Sequence, residues 1–226
     1  LSRLPKDEVP VRENGADSSF VKEFKAGFAY VFRSRVLKSL GGSFALAGIA
    51  VGVTQPLFIY VAIENLGMDK TFLQWLLMAN GAAMLVGGGL VFGVAKKLSP
   101  AQLLALGMTV SAVCTVGIGL SHNIPLTIAF EVLNGLFFPC IHIGINTMIL
   151  QNTEESFVGR VNGVLNPMFN GMMVIGMSVA GAFKGGTSLA TVFTFSGIMF
   201  LLGMLILVPL FKLNRAPVPQ REGTHA

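Results

Sequence analysis

"VGRVNGVLNPMFNGMMVIG", residues 158–176, decides how the chain is read. The stretch is mostly apolar, yet Asn162, Asn166 and Asn170 recur at steps of four. On an α-helix such steps keep side chains on one slowly drifting face, here over about 12 Å of axis. An amide facing hydrocarbon would leave donors and acceptors unmet, so this face must look at protein or water. The stretch opens a longer window, Val158–Phe183, in which Arg160 is the sole charged residue. A window of that length is enough for a helix to cross roughly 30 Å of hydrocarbon.

Five more windows of the same kind follow from the sequence: Val36–Ile63, Phe72–Ala95, Ala101–Leu120, Ile124–Leu150 and Leu189–Phe211. Over the 226 residues, 53% are hydrophobic and only 12% charged, against roughly a quarter charged in soluble domains. The mean hydropathy of +0.70 points the same way. A membrane barrel would show alternating segments of about ten residues, and none is seen. The expected class is an all-α membrane protein with six transmembrane helices.

Charge sets the orientation. An even number of crossings puts both chain ends on one side. That side gathers Arg3, Lys6, Arg12, Lys22, Lys25, Arg33, Arg35 and Lys38, then Lys96, Lys97 and Arg160, and finally Lys212, Arg215 and Arg221. The other side receives only Lys70 and Lys184. Lys and Arg accumulate in cytoplasmic loops, so both termini are expected in the cytoplasm, with the bundle in a cell (plasma or inner) membrane. The net charge of +5 is thus a topology signal and calls for no nucleic-acid partner. Cys114 and Cys140 both fall inside spans, read as packing residues, and their spacing suggests no metal site. No cofactor is expected.

Residues 1–35 read as a cytoplasmic linker, 36–213 as the six-helix bundle and 214–226 as a cytoplasmic tail. Within the linker, Phe20, Phe24, Phe28 and Phe32 recur every four residues with Lys and Arg elsewhere. That pattern suits a helix over 20–34 lying in the membrane interface. A linker, an interfacial helix and six spans look like the second half of something longer.

The spans differ in polarity. Past Gln102 at the edge of the third, the third and sixth hold only small hydroxyls and a thiol, and such helices can face lipid. The second and fifth carry much of the glycine (Gly81, Gly87, Gly88, Gly89 and Gly93; Gly159, Gly163, Gly171, Gly176 and Gly181) and read as packing helices. The first and fourth are the polar ones. The first has Thr54, Gln55 and Pro56 near its middle. The fourth places Glu131, Asn134, His142 and Asn146 within an arc of about 120° and is interrupted by Pro139. The types therefore repeat in threes. Because three is odd, the second triplet runs inverted relative to the first, an architecture found in one large group of transporters.

With these features in place, the sequence resembles the C-terminal half of a major facilitator superfamily transporter, closest to its bacterial drug- and siderophore-exporter-like branch. "FVKEFKAGFAYVFRSRVL" (20–37) is similar to the cytoplasmic helix and the start of the seventh helix of such proteins. "QNTEESFVGRVNGVLNPMFNGMMVIGMSVAGAF" (151–183) is similar to the loop after the tenth helix and to the eleventh, including the step Gly159-Arg160-Val161 followed by Gly163. Between the second and third spans, "GVAKKLSPAQ" keeps the family's glycine and positive charge but lacks its acid, so the family's gating interaction at that loop is not carried over. The resemblance implies a twelve-span protein whose first six-helix half is missing from this chain. It further implies that the first and fourth spans line a central cavity, the second and fifth flank the interface between halves, and the third and sixth face lipid. The partners so implied are the lipid bilayer, that N-terminal half, a small-molecule substrate and protons.

Glu131 is the only acidic residue within the six windows. Ionisable groups at membrane depth usually face an interior or aqueous cavity. Two readings stand: a group that couples proton movement to export, or a neutral carboxyl hydrogen-bonded between helices. His142 shares its face but lies eleven residues on, roughly 16 Å along the axis, so a relay would need water or substrate between them. A structural His bonded to a carbonyl is the alternative. Gln55, Asn134 and Asn146 are cavity-lining candidates, and Asn80 a bridge between helices. Asn162, Asn166 and Asn170 either mate with the absent half or form a polar cavity wall, with Pro167 beside them able to bend the helix. Arg160, near Glu154 and Glu155, is expected in an ion pair, a lipid contact or a gate.

Rival functions find little support in the residues. The nearest approach to an intramembrane serine protease step is "TFSG", where Thr194 stands for the first Gly, and no His-Glu-x-x-His is present. Neither a TVGYG-like filter nor an acidic ring suggests a channel. The expectation is secondary active export of small amphipathic or hydrophobic molecules by proton antiport. The alternative is a non-transporting membrane scaffold or a truncated inactive fragment.

Overall fold

A computed structural model describes residues 16–95 and 98–210. The expectations for the first fifteen residues, for Lys96 and Lys97 and for the tail lie outside them, as does the side chain of Phe20. Seven helices follow in order: α1 (Ala16–Arg33), α2 (Arg35–Thr54), α3 (Leu73–Ala95), α4 (Pro100–Leu120), α5 (Ile124–Asn152), α6 (Glu155–Gly186) and α7 (Leu189–Leu207). No strand occurs among the described residues. Six helical segments, Arg35–Asn65 and those built on α3 to α7, are long and apolar enough to cross a membrane.

Local chemistry explains the boundaries. Ser34, Asn123 and Ser188 each accept a backbone N–H at the start of the helix that follows. Ser99 and Gln102 cap α4 reciprocally, at 3.3 and 3.0 Å, with Pro100 at the first helical position, where its missing N–H costs nothing. Turns of two or three residues join α4 to α5, α5 to α6 and α6 to α7, so these neighbours run antiparallel. Past Thr54 the first span tightens to a 3-10 turn at Gln55–Leu57, resumes for Phe58–Tyr60, then widens to a π turn at Val61–Asn65. Pro56 accounts for the tightening, since it offers no N–H and its ring crowds the preceding turn. The Thr54 hydroxyl bonds back to the carbonyls of Ala50 and Val51 at 3.0 and 3.2 Å.

The bundle is two interlocked triplets. α2 packs chiefly on α6 and α7, while α5 packs chiefly on α3 and α4, and α4 meets α7 at the centre. Exchanging α2–α3–α4 with α5–α6–α7 leaves this list of contacts unchanged, as two inverted three-helix repeats require. Even the close approaches correspond. A Cβ on Gly48 of α2 would sit 2.6 Å from the Phe169 carbonyl of α6, and one on Gly176 of α6 would sit 2.7 Å from the Ile49 carbonyl of α2. Gly135 of α5 and Gly87 of α3 face the Asn80 and Leu136 carbonyls in the same reciprocal way. Hydroxyls then tie α7 to α2: Ser196 donates to the Ala50 carbonyl at 2.7 Å, and Ser43 to that of Gly203.

Two expectations from polarity need correction. The third span, α4, does not simply face lipid; 61% of its most apolar stretch is buried inside the bundle, against 22% for the second and fifth spans. Low polarity suits a protein interior as well as hydrocarbon, and small residues such as Gly107 and Ser111 let α4 sink between α5 and α7. The sixth span keeps an exposed apolar stripe, including Ile198, Leu201 and Leu205. The second correction concerns the glycines of α3 and α6. Only Gly87 and Gly176 meet another helix, whereas Gly81, Gly88, Gly159, Gly163 and Gly171 face open space.

α1 begins four residues before the expected start at residue 20. It rests on the start of α6, where Tyr30 stacks on Phe157 at 4.7 Å and accepts the Glu154 N–H at 3.4 Å. Phe24, Phe28 and Phe32 line an exposed face, with successive ring centroids 6.5 and 4.5 Å apart.

Candidate functional site

Where the first span changes from α to 3-10, a cavity of about 300 Å³ opens between α2, α3 and α5, floored by α4 and α7. From the first span come Thr54, Gln55 and Phe58, exposed to the space by the break that Pro56 imposes. Leu77, Asn80 and Met84 come from α3, one or two turns apart on one face. Ser111 and Thr115 of α4 contribute hydroxyls, and Phe200 of α7 closes the base. α5 supplies Glu131, Asn134 and Phe138, spaced to share one side of the helix.

The polar groups are fixed by bonds between helices. Asn80 donates its amide N–H to the backbone carbonyl of Glu131 at 3.0 Å, so the expected bridging role is realised between α3 and α5. Ser111 donates to the Asn134 side-chain oxygen at 3.1 Å, joining α4 to α5. Glu131 itself is only 3% exposed, yet one of its carboxyl oxygens, Oε1, has no hydrogen-bond partner among the described residues. Buried polar groups are nearly always paired, so an orphaned carboxyl oxygen in a cavity wall is a pointer to function. Among the described residues, the lining carries one acid and no Lys, Arg or His.

The structure brings together Gln55, Asn134 and Glu131. It leaves the other candidates elsewhere. His142 is exposed, edge-on to Phe138 at 5.0 Å, and outside the cavity wall. Asn146 is exposed further along α5. Asn162 is half-buried and donates to the Val158 carbonyl of its own helix at 3.2 Å. Asn166, Pro167 and Asn170 are exposed on α6, which runs unbroken through the proline. Arg160 lies over the Phe157 ring at 4.9 Å and forms no ion pair with Glu154 or Glu155 among the described residues, correcting that expectation. Five residues of helix turn through about 500°, which puts Glu155 and Arg160 on different faces.

The sequence reading passed over Ser111 and Thr115. Their four-residue spacing was the available signal, hidden because hydroxyls in an apolar span usually bond their own backbone. It also passed over a second, polar recess of about 370 Å³ at the end of the bundle away from α1. There Lys184 of α6 meets Glu64 of the π turn at 2.5 Å and lies 5.2 Å from the centre of the Tyr60 ring. Asn65 donates to the Gly119 carbonyl at 3.1 Å, and His122 Nδ1 lies 3.3 Å from the Asn65 carbonyl.

Comparison with known families returns the Major Facilitator Superfamily over residues 40–226, while comparison with individual curated proteins returns no match. The matched residues take in most of α2 and the whole of α3 to α7. On that match, and on six apolar helices arranged as inverted triplets, the chain is a multi-pass membrane protein belonging to the Major Facilitator Superfamily, a family of membrane transporters.

Proposed function

We propose that the chain is the C-terminal six-helix half of a secondary transporter that exports small amphipathic or hydrophobic molecules in exchange for protons. One observation carries the reading: the carboxyl of Glu131 is buried in the wall of a cavity whose other lining residues are uncharged, with an oxygen left unpaired. A charge there costs about 3 kcal/mol by insertion scales, so the group is retained for what it does. Glu131 takes up a proton in one orientation of the transporter and gives it up in the other. Alternating access follows from rocking this half against an N-terminal half, with the exposed Asn166 and Asn170 and the open glycines of α3 and α6 as the surface turned toward it. Both termini and α1 lie on the cytoplasmic side of the cell membrane, as the distribution of Lys and Arg favours.

Reconstituting the complete transporter in vesicles and imposing a proton gradient tests the proposal. Cargo-stimulated proton flux is expected, and Glu131→Gln is expected to uncouple cargo movement from the gradient. Transport in Glu131→Gln with an unaltered dependence on the gradient would remove Glu131 from the mechanism.

A further inference from the structure

We propose that α1 is a lipid-seated clamp: its phenylalanine face lies in the acyl chains of an anionic membrane surface while another face grips the start of α6. The inference uses neither cargo nor proton coupling, so it stands or falls apart from the transport reading.

Exposure defines the surface. Phe24, Phe28 and Phe32 are 40, 45 and 50% exposed and line about 12 Å of one face of α1. A single exposed ring needs no partner, whereas a contiguous apolar stripe marks one. The cations beside it say which. Lys25 and Arg33 each follow one of these phenylalanines by a single residue, about 100° round the helix. Arg35 and Lys38 continue the charge into the first turn of α2. All four are exposed, and none forms an ion pair among the described residues. Between residues 16 and 38, five Lys or Arg stand against two acids, Asp17 and Glu23. Rings sunk to the acyl boundary, with cations held beside them at headgroup level, fit an anionic leaflet. Such a leaflet offers phosphates on every approach, so all four cations are met whatever rotamers they adopt. Position agrees with this partner. Ser34 alone separates α1 from α2, so α1 leads off from the level at which a membrane-crossing helix meets the bilayer surface.

The second face makes the contact a clamp. Gly27 and Val31 are buried and Tyr30 is half-buried. A Cβ on Gly27 would sit 2.8 Å from the Arg160 carbonyl, so the missing side chain is what lets α1 lie this close to α6. Phe157 of α6 meets the Tyr30 ring at 4.7 Å and the Arg160 guanidinium at 4.9 Å. Whatever fixes α1 on the membrane therefore also fixes the first turns of α6, the helix that carries the asparagine face. With one residue between α1 and α2, there is little slack to absorb a shift.

The test places p-benzoyl-phenylalanine, a photo-crosslinker close to Phe in shape, at Phe28 of the complete protein. The protein is held in nanodiscs of phosphatidylcholine and phosphatidylglycerol in equal parts. Light is expected to yield lipid adducts, with phosphatidylglycerol captured about five-fold over phosphatidylcholine. Lys25→Gln, Arg33→Gln and Arg35→Gln together should bring the two lipids level while adducts still form. Amide hydrogen exchange at residues 158–162 should be about three-fold slower in these discs than in phosphatidylcholine alone. The triple variant should lose that difference. Crosslinks to protein would assign the rings to an N-terminal half or another chain and overturn the proposal. So would an absence of adducts, equal capture of both lipids by the unaltered cations, or exchange in α6 that ignores lipid charge. Should Phe28 tolerate no replacement, the same crosslinker at Phe24 decides by the same outcomes.

Discussion

The Glu131 face of α5 and the asparagine face of α6 carry similar residues and meet opposite fates. On α5, polar groups are tied across to α3 and α4 at about hydrogen-bond distance, and the helix is held from two sides. On α6, the asparagines form no hydrogen bond to another helix among the described residues; Asn162 bonds its own backbone, and Asn166 and Asn170 stay exposed. The lesson is that an amide in an apolar helix reports where a partner is wanted, while only the packing says whether that partner belongs to the same half of the bundle. Glycine tells the same story. Gly176 is pressed against α2, while Gly171, a little more than one turn earlier on α6, faces nothing.

That contrast can be broken most strongly at glycine. Gly176→Leu would drive a side chain into the backbone of Ile49 and Val53, atoms that cannot swing aside, and is expected to cost about 3 kcal/mol, near the top of the overpacking range. Gly171→Leu should cost nothing by the same thermal melt of detergent-solubilised protein. Equal losses at the two positions would mean that the packed and open faces of α6 have been misassigned.

Next in size is the tie across the cavity. Asn80→Leu removes the bond from α3 to the Glu131 carbonyl and should lower stability by about 0.6 kcal/mol, the average for interhelical bonds in membranes. Transport is expected to fall further than stability does, because the backbone that carries Glu131 loses its anchor. Parallel losses in both would reduce Asn80 to a packing residue.

The exposed pair at the far end ranks third. Lys184→Ala deletes the contact with Glu64, and a half-exposed ion pair is worth about 0.5 kcal/mol or less. Added salt should erase the difference between variant and wild type. A persistent deficit in high salt would point to the contact with the Tyr60 ring instead.

Smallest for the stability of this bundle, and most informative, is the triple change of Asn162, Asn166 and Asn170 to Leu. The helices of this chain should melt as before, within about 0.5 kcal/mol, while transport by the complete protein collapses. Normal transport would discard the surface as both meeting face and cavity wall.

How much of this was legible in the sequence follows from distance along the chain. The six spans were visible because each is a local property, a run of apolar residues of the right length. Glu131, Asn134 and Gln55 stood out because polar groups in such runs are expensive, and the structure gathers them at one cavity. The close packing of α4 was not legible, since an apolar helix reads the same whether lipid or protein surrounds it. Nor was the meeting of Glu64 with Lys184, 120 residues apart, or the seating of Tyr30 on Phe157. Such contacts depend on which helices become neighbours. The break after Thr54 lay between these cases: Pro56 announced it, but the 3-10 and π turns that resolve it depend on packing beyond the proline.

The interlocking of the triplets has a consequence for biosynthesis. α2 finds its main neighbours only when α6 and α7 have left the ribosome. At roughly 5–20 residues per second, the stretch from Asn65 to Gly186 takes on the order of ten seconds to emerge. Throughout that interval the first span has to wait half-dressed in the bilayer, with its glycine notches and hydroxyls uncovered. Whatever shelters nascent helices in the insertion machinery therefore has to hold α2 until the mirror set arrives.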